Sequence, residues 1–526
     1  NNIIKLMAFK NWFNNKKYNH IRLVSSNEQL AKAMQLLSTD LSISFKWEKV
    51  EKKIDRISII RQIYNKLPFT IRPILWLVRY LFFRWPLKGV GLDEWRKTPS
   101  KITFVSKLSN LVPKSIKKGE FESRLWTSLP NMLKDRTTNW LHLYISSSEL
   151  PNAKTARDII KKFNKTYDGV QVHTTLDSFL SMERIYVVLK YYYKLKSKQK
   201  FLQSFLEITA GIYWPLLAKD YKDSMSGNVA ISNLLDLSLF ESAMSVLPFQ
   251  EKGVYLQEKQ GWECALIHHW HLNHGNKLIG WSHTTSQFWN LRYYFDSRVY
   301  NSNYGLNIPL PDYFAVSSKT TKTAFIDAGY QTHKIKEVEA LRYLYLNSNR
   351  ELSSSSKKSK NSILILGDYL RQNTDMLMGL VNEAEGLIKR KNNFIVKPHP
   401  SCSIDSDDYP ELDLFVTNNE IQSLLDQCVF AISSNVSGAA IECYCAGTPV
   451  INVLNPESLN LSPLRGNEDV IFVSSAEELS RVLNNSDKIK ISDKQDKDYF
   501  YSDPTLPKWK ELLLSSNNQL ELDIYK

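Results

Sequence analysis

The sequence predicts an α/β fold of two doubly wound parallel-sheet domains, preceded by a helical and basic N-terminal extension. Short apolar runs alternate with longer helical patterns over residues 101–346, and the same alternation restarts over residues 362–485. Residues 347–361 between them are rich in Ser and Lys and almost free of apolar side chains, which predicts a linker. The extension comprises residues 1–100, and residues 486–526 form a tail that contains an amphipathic helix.

Each strand of the two sheets is predicted from an apolar run bounded by polar or turn-forming residues. The first domain contains ITFVS, WLHLYIS, GVYLQ, KLIGWS and YFAVSS, and the second contains SILILG, FIVKPHP, VFAISS, TPVINVL and VIFVSS. Strands separated by helices pair in parallel, so their carboxyl ends share one edge of the sheet, where open α/β sheets bind ligands. Two such Rossmann-like domains therefore predict a cleft between two ligand-binding edges.

Composition narrows the class of protein further. The chain has 526 residues, of which 43% are hydrophobic, so a disordered or collagen-like chain is excluded. Lys and Arg outnumber Asp and Glu by 68 to 54, which gives a net charge of +14. This surplus suits a polyanionic partner such as nucleic acid, an anionic membrane face or a phosphorylated or carboxylated substrate. A solvated basic surface is the alternative, and no nucleic-acid-binding module is recognisable, so we expect no nucleic-acid partner.

Cysteine usage predicts the compartment. The five cysteines are odd in number and form no C-x-x-C pair, and the first residues lack the apolar stretch of a signal peptide. We therefore expect a reducing, cytoplasmic environment. Residues 71–87 (IRPILWLVRYLFFRWPL) combine Trp, Phe and Arg as helices lying on anionic lipid do, which predicts peripheral contact with the inner face of the cytoplasmic membrane. A buried amphipathic helix is the alternative.

Two loops of the second domain predict a nucleotide site. FIVKPHP ends a strand with a histidine whose imidazole can donate a hydrogen bond to a phosphate oxygen or protonate a departing phosphate. VFAISSNVSGAAIECYCAGTPVINV has the pattern strand, polar turn, helix and strand, and helix N-termini bind anions. Simple capping by the serines is the alternative. The residues predicted to bind the nucleotide are Lys397, His399, Ser433, Ser434, Asn435, Ser437 and Glu442.

The first domain is predicted to supply the catalytic wall of the cleft. Glu258 follows the strand GVYLQ, where a carboxylate could deprotonate an acceptor hydroxyl or attack an anomeric carbon; helix capping or an interdomain ion pair is the alternative. Gln260 and Glu263 lie close behind it as candidate substrate contacts, with Glu263 also favourable to the helix start. His283 follows KLIGWS and is the second catalytic candidate in this domain, with a hydrogen-bonded structural role as the alternative.

Two arginines are predicted to bind the substrate. Arg292 and Arg342 lie in polar-aromatic segments, and guanidinium groups pair bidentately with carboxylates. An ion pair with Asp296 or Glu339 is the alternative. No metal site is expected, although three histidines of one helical pattern share a face: His268, His271 and His274.

The second domain resembles the nucleotide-binding half of bacterial GT-B glycosyltransferases with paired HP and SS motifs, such as CMP-sialic acid and Kdo transferases. In those enzymes these motifs contact the CMP phosphate, which implies this role for His399, Ser433 and Ser434. From about residue 88 to the tail, the chain also resembles a bacterial surface-carbohydrate biosynthesis family. The segments that carry the second resemblance are RWPLKGVGLDEW, ITFVS, YLQEKQGWE, GWSHTTSQFWNLRY, PLPDYFAVSS, VEALRY and KPHP.

These resemblances imply a metal-independent GT-B glycosyltransferase of capsule, O-antigen or lipopolysaccharide biosynthesis. The implied donor is a nucleotide sugar, specifically a CMP-activated acidic sugar of the Kdo, sialic, legionaminic or pseudaminic type. A glycan or lipid-linked glycan is the implied acceptor, and no cofactor is expected besides the donor. On the same architecture, a UDP-sugar 2-epimerase or a polyol-phosphate transferase is the alternative, and a non-catalytic glycan-binding protein is another.

Overall fold

The computed structural model contains two parallel α/β sheets, which confirms the predicted fold class. The predicted linker 347–361 and parts of the predicted tail lie outside the described residues. The described residues are 2–15, 18–51, 64, 67–275, 277–285, 287, 290–300, 308–346, 362–388, 392–456, 458–485 and 499–515.

The N-terminal region departs from the helical extension that the sequence predicts. Strands β1 (His20–Val24) and β2 (Ser44–Glu48) pair in parallel as a separate two-stranded sheet, joined by helix α2 (Glu28–Asp40), while α1 (Asn2–Asn14) precedes them. Ile21 is the one buried residue of these two strands, so their sequences lack the continuous apolar run from which the other strands are predicted.

The first large sheet has seven parallel strands. Their bounds are β3 (Ile102–Leu108), β4 (Thr138–Tyr144), β5 (Gln171–Thr175), β6 (Lys252–Leu256), β7 (Leu278–Ser282), β8 (Tyr313–Val316) and β9 (Ile335–Glu337). The order across the sheet is β5-β4-β3-β6-β7-β8-β9. Every residue of β5, β6 and β7 is buried, as expected where helices cover both faces of a parallel sheet.

The second large sheet has six parallel strands. Their bounds are β10 (Ser362–Leu366), β11 (Asn393–Lys397), β12 (Asp413–Val416), β13 (Cys428–Ser434), β14 (Val450–Val453) and β15 (Val470–Val473). The order is β12-β11-β10-β13-β14-β15, so the strand order reverses between β10 and β13. In open α/β sheets, ligands bind outside the carboxyl ends of the strands at such a reversal.

Helices cover both sheets. Those of the first domain are α3 (Arg72–Arg84), α4 (Leu92–Lys97), α5 (Pro113–Lys118), α6 (Leu129–Met132), α7 (Ala153–Tyr167), α8 (Met182–Ser197), α9 (Gln199–Ala210), α10 (Trp214–Ser226), α11 (Asn228–Val246), α12 (Gly261–His274) and α13 (Lys319–Asp327). Those that follow are α14 (Arg371–Gly386), α15 (Ile421–Leu425), α16 (Ala439–Cys445), α17 (Ala476–Asn484) and α18 (Pro507–Leu514).

Helices α8 to α11 form a long excursion between β5 and β6. Among the described residues, α11 alone has the length and hydropathy to cross a membrane. It packs against α3, α8, α10 and α12, and its buried side chains, such as Leu235, Leu239 and Phe240, belong to the hydrophobic core. In this structure α11 is therefore the central core helix of the excursion.

The tail helix α18 returns to the first domain. Trp509 is fully buried against Trp281, with the two rings 5.3 Å apart and edge to face. The carboxylate of Glu339 accepts hydrogen bonds from the backbone N–H groups of Lys508 and Trp509, at the start of the helix. At its end, Nζ of Lys252 donates to the carbonyl oxygens of Leu512, Leu513 and Ser515, each at 3.0 Å. Both ends of α18 are thus capped by side chains of the first domain.

Candidate functional site

The carboxyl edges of the two large sheets face each other. Gln287, which follows β7, donates from Nε2 to the carbonyl oxygen of Val436 after β13, at 2.9 Å. A Cβ atom at Gly438 would lie 3.6 Å from Oγ1 of Thr285. The loops after β7 and β13 therefore touch across the domain boundary, and the loops after neighbouring strands surround this contact.

The polar turn after β13 differs in one respect from its prediction. Ser433 and Ser434 are the last residues of the strand, and α16 begins only at Ala439, so these serines do not start the helix. Both are buried: Oγ of Ser433 lies 3.4 Å from Oδ1 of Asn452, and Ser434 donates to the carboxylate of Asp368. Their hydroxyls are engaged within the domain, and direct contact with a phosphate stays a prediction.

Two further predicted residues occupy the turn itself. Asn435 is buried and donates from Nδ2 to the carbonyl oxygen of Leu459 at 3.0 Å, which ties the turn to the loop after β14. Ser437 is half-buried and lies next to Gly438, the residue that approaches Thr285. Ser437 therefore lies at the boundary between the two domains, where a ligand of the cleft would be within reach.

Asp368, directly after β10, organises this edge. Its Oδ1 accepts the backbone N–H of Leu370 at 2.9 Å, and its Oδ2 accepts from Nδ2 of Asn373 at 3.1 Å as well as from Ser434. A buried carboxylate needs such donors because its desolvation is costly. Asp368 thereby joins the ends of β10 and β13.

His399 is exposed on the loop after β11 and has a defined hydrogen-bond arrangement. The backbone N–H of Ser401 donates to Nδ1 of His399 at 3.2 Å, and Oγ of Ser401 lies 2.7 Å from the same atom. In the neutral ring, an accepting Nδ1 places the proton on Nε2. Burial lowers the pKa of His399, against an opposing effect of Asp368, so the neutral form dominates near pH 7. The Nε2–H group can then donate to an anion.

The loop after β11 lies close to the end of β10. A Cβ atom at Gly367 would lie 3.1 Å from the backbone nitrogen of His399 and 3.2 Å from Cα of Pro398. Only glycine allows this approach without a shift of the loop, because these neighbours are backbone atoms. Lys397 donates from Nζ to the carbonyl oxygen of Asn418 at 3.3 Å, and burial lowers its pKa.

Glu442 lies on α16 and faces the domain boundary. Its carboxylate accepts a hydrogen bond from the hydroxyl of Tyr345, the residue near the end of the first domain. Burial raises the pKa of Glu442, while Tyr345, Arg342 and Lys397 oppose that effect. The carboxylate is engaged with Tyr345, and its predicted contact with the nucleotide stays a prediction.

Glu258 is the central residue of the first domain's edge. Lys107, at the end of β3, donates to its carboxylate as an ion pair, and Nε2 of Gln260 donates to Oε2 at 2.7 Å. Nε2 of His283 lies 3.5 Å from Oε1 of Glu258. The contacts differ from both alternatives, because Lys107 belongs to the same domain and the N-cap residue of α12 is Gln260. A half-buried carboxylate beside a cation and an imidazole can accept a proton or act as a nucleophile.

Glu263 and Gln260 have structural roles at the start of α12. Oε1 of Glu263 accepts the backbone N–H groups of Glu258 and Gln260, both at 2.8 Å, and Gln260 is the N-cap residue. Burial raises the pKa of Glu263 to about 7. The buried carboxylate of Glu263 thus holds the loop that carries Glu258, and its contact with a substrate stays a prediction. Gln260 is exposed and remains a candidate for substrate contact.

Lys259, between Glu258 and Gln260, has an unusual backbone conformation. Its φ angle is 59°, in the left-handed region that is uncommon for residues other than glycine. Its ammonium group lies 5.1 Å from the ring centroids of Phe295, Phe314 and Tyr330, and burial lowers its pKa to about 8. The cation–π contacts hold Lys259 away from Glu258, so the carboxylate remains directed to Lys107 and His283.

His283 is buried beside Glu258 and uncharged. Burial lowers its pKa to about 3, with further lowering by the nearby charges of Arg342 and Lys107. Among the described residues, Nδ1 of His283 has no hydrogen-bond partner. The neutral ring lines a small cavity at the domain boundary together with Thr284, Thr285 and Arg342.

The two arginines occupy different positions. Arg342 is half-buried in the same cavity, close enough to influence the pKa values of both His283 and Glu442. Arg292 is exposed, and its Nε donates to Oδ1 of Asn290 at 3.1 Å. The alternative was an ion pair of either arginine with Asp296 or Glu339. In the structure Asp296 pairs with Arg298, and Glu339 accepts from the backbone of α18.

The three histidines of α12 have separate environments. Nε2 of His271 lies 3.1 Å from Oδ2 of Asp312, whereas His274 is buried and packs against Trp270. His268 lines a cavity of about 510 Å³ with His271 and Asp312, near the amino ends of β7 and β8. Within the described part of the chain, no group of three or more His, Cys, Asp or Glu side chains is arranged to hold a metal ion.

Sequence reasoning missed three residues that complete the two edges. Lys107 lies at the end of β3, Asp368 follows β10 directly, and Tyr345 lies beyond β9 at the boundary. A systematic search for charged residues at the ends of all apolar runs would have found Lys107 and Asp368. Tyr345 carries no such signal, because its partner Glu442 is 97 residues away.

Comparisons with known proteins give distant similarities in structure. No protein-family model and no curated protein matches this chain. The UDP-N-acetylglucosamine 2-epimerase of Rickettsia bellii is 11% identical, with a TM-score of 0.41 over 81% of this chain and 96% of its own. The UDP-GlcNAc 2-epimerase of Neisseria meningitidis, bound to UDP-GlcNAc, is 10% identical, with a TM-score of 0.38 over 74% and 94%. A glycosyltransferase of Rickettsia africae is 12% identical, with a TM-score of 0.38 over 80% and 100%. These are likenesses of arrangement between distant chains, and the case for function rests on the residues described above.

Proposed function

We propose that this protein is a nucleotide-sugar enzyme that transfers the glycosyl group to a glycan acceptor of a bacterial surface polysaccharide. The observation that carries the proposal is the arrangement of two polar edges about one boundary. One edge presents the Nε2–H donor of His399 and the turn after β13, and the other presents Glu258 between Lys107 and His283.

The proposed division of labour follows from these contacts. His399 donates a hydrogen bond to the phosphate of the donor, which stabilises the negative charge that grows as the leaving group departs. Glu258 accepts the proton of the acceptor hydroxyl while that oxygen bonds to the anomeric carbon. The bond between the anomeric carbon and the phosphate oxygen breaks, and its electron pair leaves with the nucleotide. Lys107 donates to the same carboxylate and holds it at the edge of the sheet.

Arg342 and Arg292 are the proposed contacts to an acidic sugar. Arg342 is better placed for this role than Arg292, because it is half-buried beside His283 at the domain boundary. There a guanidinium would bind a carboxylate with little competition from water. Among donors, the resemblance of the HP and SS motifs favours a CMP-activated sugar.

A UDP-sugar 2-epimerase is the second candidate, and a specific observation favours it. Glu258 and His283 place a carboxylate and an uncharged imidazole 3.5 Å apart, and either can take a proton from a carbon atom beside the anomeric centre. Such an enzyme needs no acceptor glycan.

Thermal-shift measurements with CMP, UDP and GDP test the proposal, because a ligand of the folded state raises its melting temperature. We expect stabilisation by CMP above that by UDP and GDP. Preferential stabilisation by UDP, with epimerisation of UDP-GlcNAc and no transfer, would replace the transferase by the epimerase. No shift with any nucleotide would overturn both and favour a glycan-binding protein without catalysis.

A further inference from the structure

Helix α9 presents its apolar side chains to solvent. Phe201, Phe205 and Ile208 are 77%, 66% and 83% exposed, and none of the twelve residues of α9 is buried. The face turned toward the protein is instead formed by half-buried residues, namely Gln199, Gln203, Leu206 and Ala210. A surface helix ordinarily has the reverse pattern, with its apolar stripe against the core.

A strongly basic segment precedes the exposed apolar face of α9. No Asp or Glu occurs between Glu183 and Glu207, whereas five lysines do. These lysines are Lys190, Lys194, Lys196, Lys198 and Lys200. Two tyrosines of the same segment, Tyr191 and Tyr193, are about half exposed, at 49% and 58%. Lysines and aromatic side chains beside an exposed apolar face are the composition of helices that lie in the headgroup region of a bilayer.

We propose that α9 and the end of α8 form a membrane-binding surface, and that its partner is an anionic lipid bilayer. Phe201, Phe205 and Ile208 enter the boundary between headgroups and acyl chains, while the lysines pair with lipid phosphates. A protein partner fits less well, because the centres of protein interfaces are depleted of lysine. The proposal does not depend on the proposed function, although it would bring the domain that contains Glu258 to a lipid surface.

Flotation of the full chain with phosphatidylcholine vesicles, with and without 30% phosphatidylglycerol, tests this surface. We expect binding to the anionic vesicles only, and its loss at high salt. Changing Phe201, Phe205 and Ile208 to Ser should lower the bound-to-free ratio by more than about tenfold, since three apolar side chains no longer insert. Changing Lys194, Lys196, Lys198 and Lys200 to Gln should lower it by a similar factor.

The matched control lies on α3, within residues 71–87. Val78 and Phe82 are exposed there, at 58% and 77%, whereas Trp76 packs against the core, so Val78→Ser with Phe82→Ser removes apolar surface without disturbing the core. We expect this variant to bind anionic vesicles like the wild type. Loss of binding by the α3 variant alone would overturn the assignment to α9 and favour the segment that the sequence predicts.

Three other outcomes overturn the proposal. Equal binding to neutral and anionic vesicles would remove the role of the lysines, and undiminished binding by the triple variant would remove the role of α9. The wild type could instead be dimeric by light scattering and fail to float, while the triple variant is monomeric. That result would make the apolar face of α9 a contact with a second copy of this chain. If circular dichroism shows that the triple variant is unfolded, the single change Ile208→Ser provides the same test at the most exposed position.

Discussion

Lys107 and Glu258 form an ion pair between the ends of adjacent strands β3 and β6, although 151 residues separate them in sequence. Both side chains are about one-fifth exposed, so solvent screens the pair only in part. The pair keeps the carboxylate at the open edge of the sheet, next to His283. A carboxylate in this position is accessible to a ligand, as a general base must be.

Replacement of Glu258 by Gln should separate chemistry from binding. The amide preserves size but cannot accept a proton, so turnover should fall by at least about a hundredfold while the nucleotide dissociation constant stays within about twofold. The rate of product formation measures turnover, and calorimetry measures the nucleotide dissociation constant. Glu251→Gln is the control, because Glu251 directly precedes β6 at the opposite end of the strand. Near-normal turnover would remove Glu258 from the mechanism and leave His283 as the next residue to test.

Replacement of His399 by Ala should weaken nucleotide binding. Loss of one hydrogen bond to a charged phosphate raises the dissociation constant by about tenfold or more. Titration calorimetry with CMP and UDP gives the value for each nucleotide. His333→Ala provides the comparison, since His333 is exposed beside the amino end of β9. Equal affinity of the His399 variant and the wild type would show that the loop after β11 does not contact the phosphate.

Glu263 should make stability depend on pH. Burial raises its pKa from 4.5 to about 7, so the folded chain holds this proton more tightly than the unfolded chain does. The contribution is present below about pH 4.5 and is lost as the pH rises through about 7. Glu263→Gln has no such proton, so its stability relative to the wild type should increase from pH 4.5 to pH 8, by up to about 3 kcal/mol.

Urea unfolding of both proteins at several pH values measures this difference. Glu94→Gln is the control, because it makes the same substitution at an exposed position. A difference in stability between Glu263→Gln and the wild type that stays constant from pH 4.5 to pH 8 would mean that the pKa of Glu263 is not raised in the folded chain.

Replacement of Lys252 by Met should loosen the tail helix. Three carbonyl oxygens at the end of α18 would lose their donor, at a cost of about 1–3 kcal/mol in the free energy of unfolding. Hydrogen exchange should rise in residues 507–515 in particular. Lys510→Met, on the exposed side of the same helix, should leave exchange there unchanged. Unchanged protection in the Lys252 variant would assign the docking of α18 to Trp509 and Glu339.

The sequence predicts the two large sheets because their strands are buried on both faces and read as short apolar runs, as SILIL of β10 shows. It misses β1 and β2, whose half-exposed residues give no such run. At the site, it predicts Glu258, His283 and His399 from their place after a strand, and the structure brings Glu258 and His283 together. It misplaces the start of α16 because the partner of Ser434 is Asp368, 66 residues earlier, and pairings at such a distance leave no local pattern.

The return of α18 has a consequence for how the molecule can be divided. The last residues of the first domain contact the start of the returning segment: the backbone N–H of Ala340 donates to the carbonyl oxygen of Tyr501, and the rings of Tyr343 and Phe500 stack at 4.1 Å. A fragment cut after residue 346 would expose Trp281 by losing Trp509, and it would be an unsuitable stand-in for the first domain.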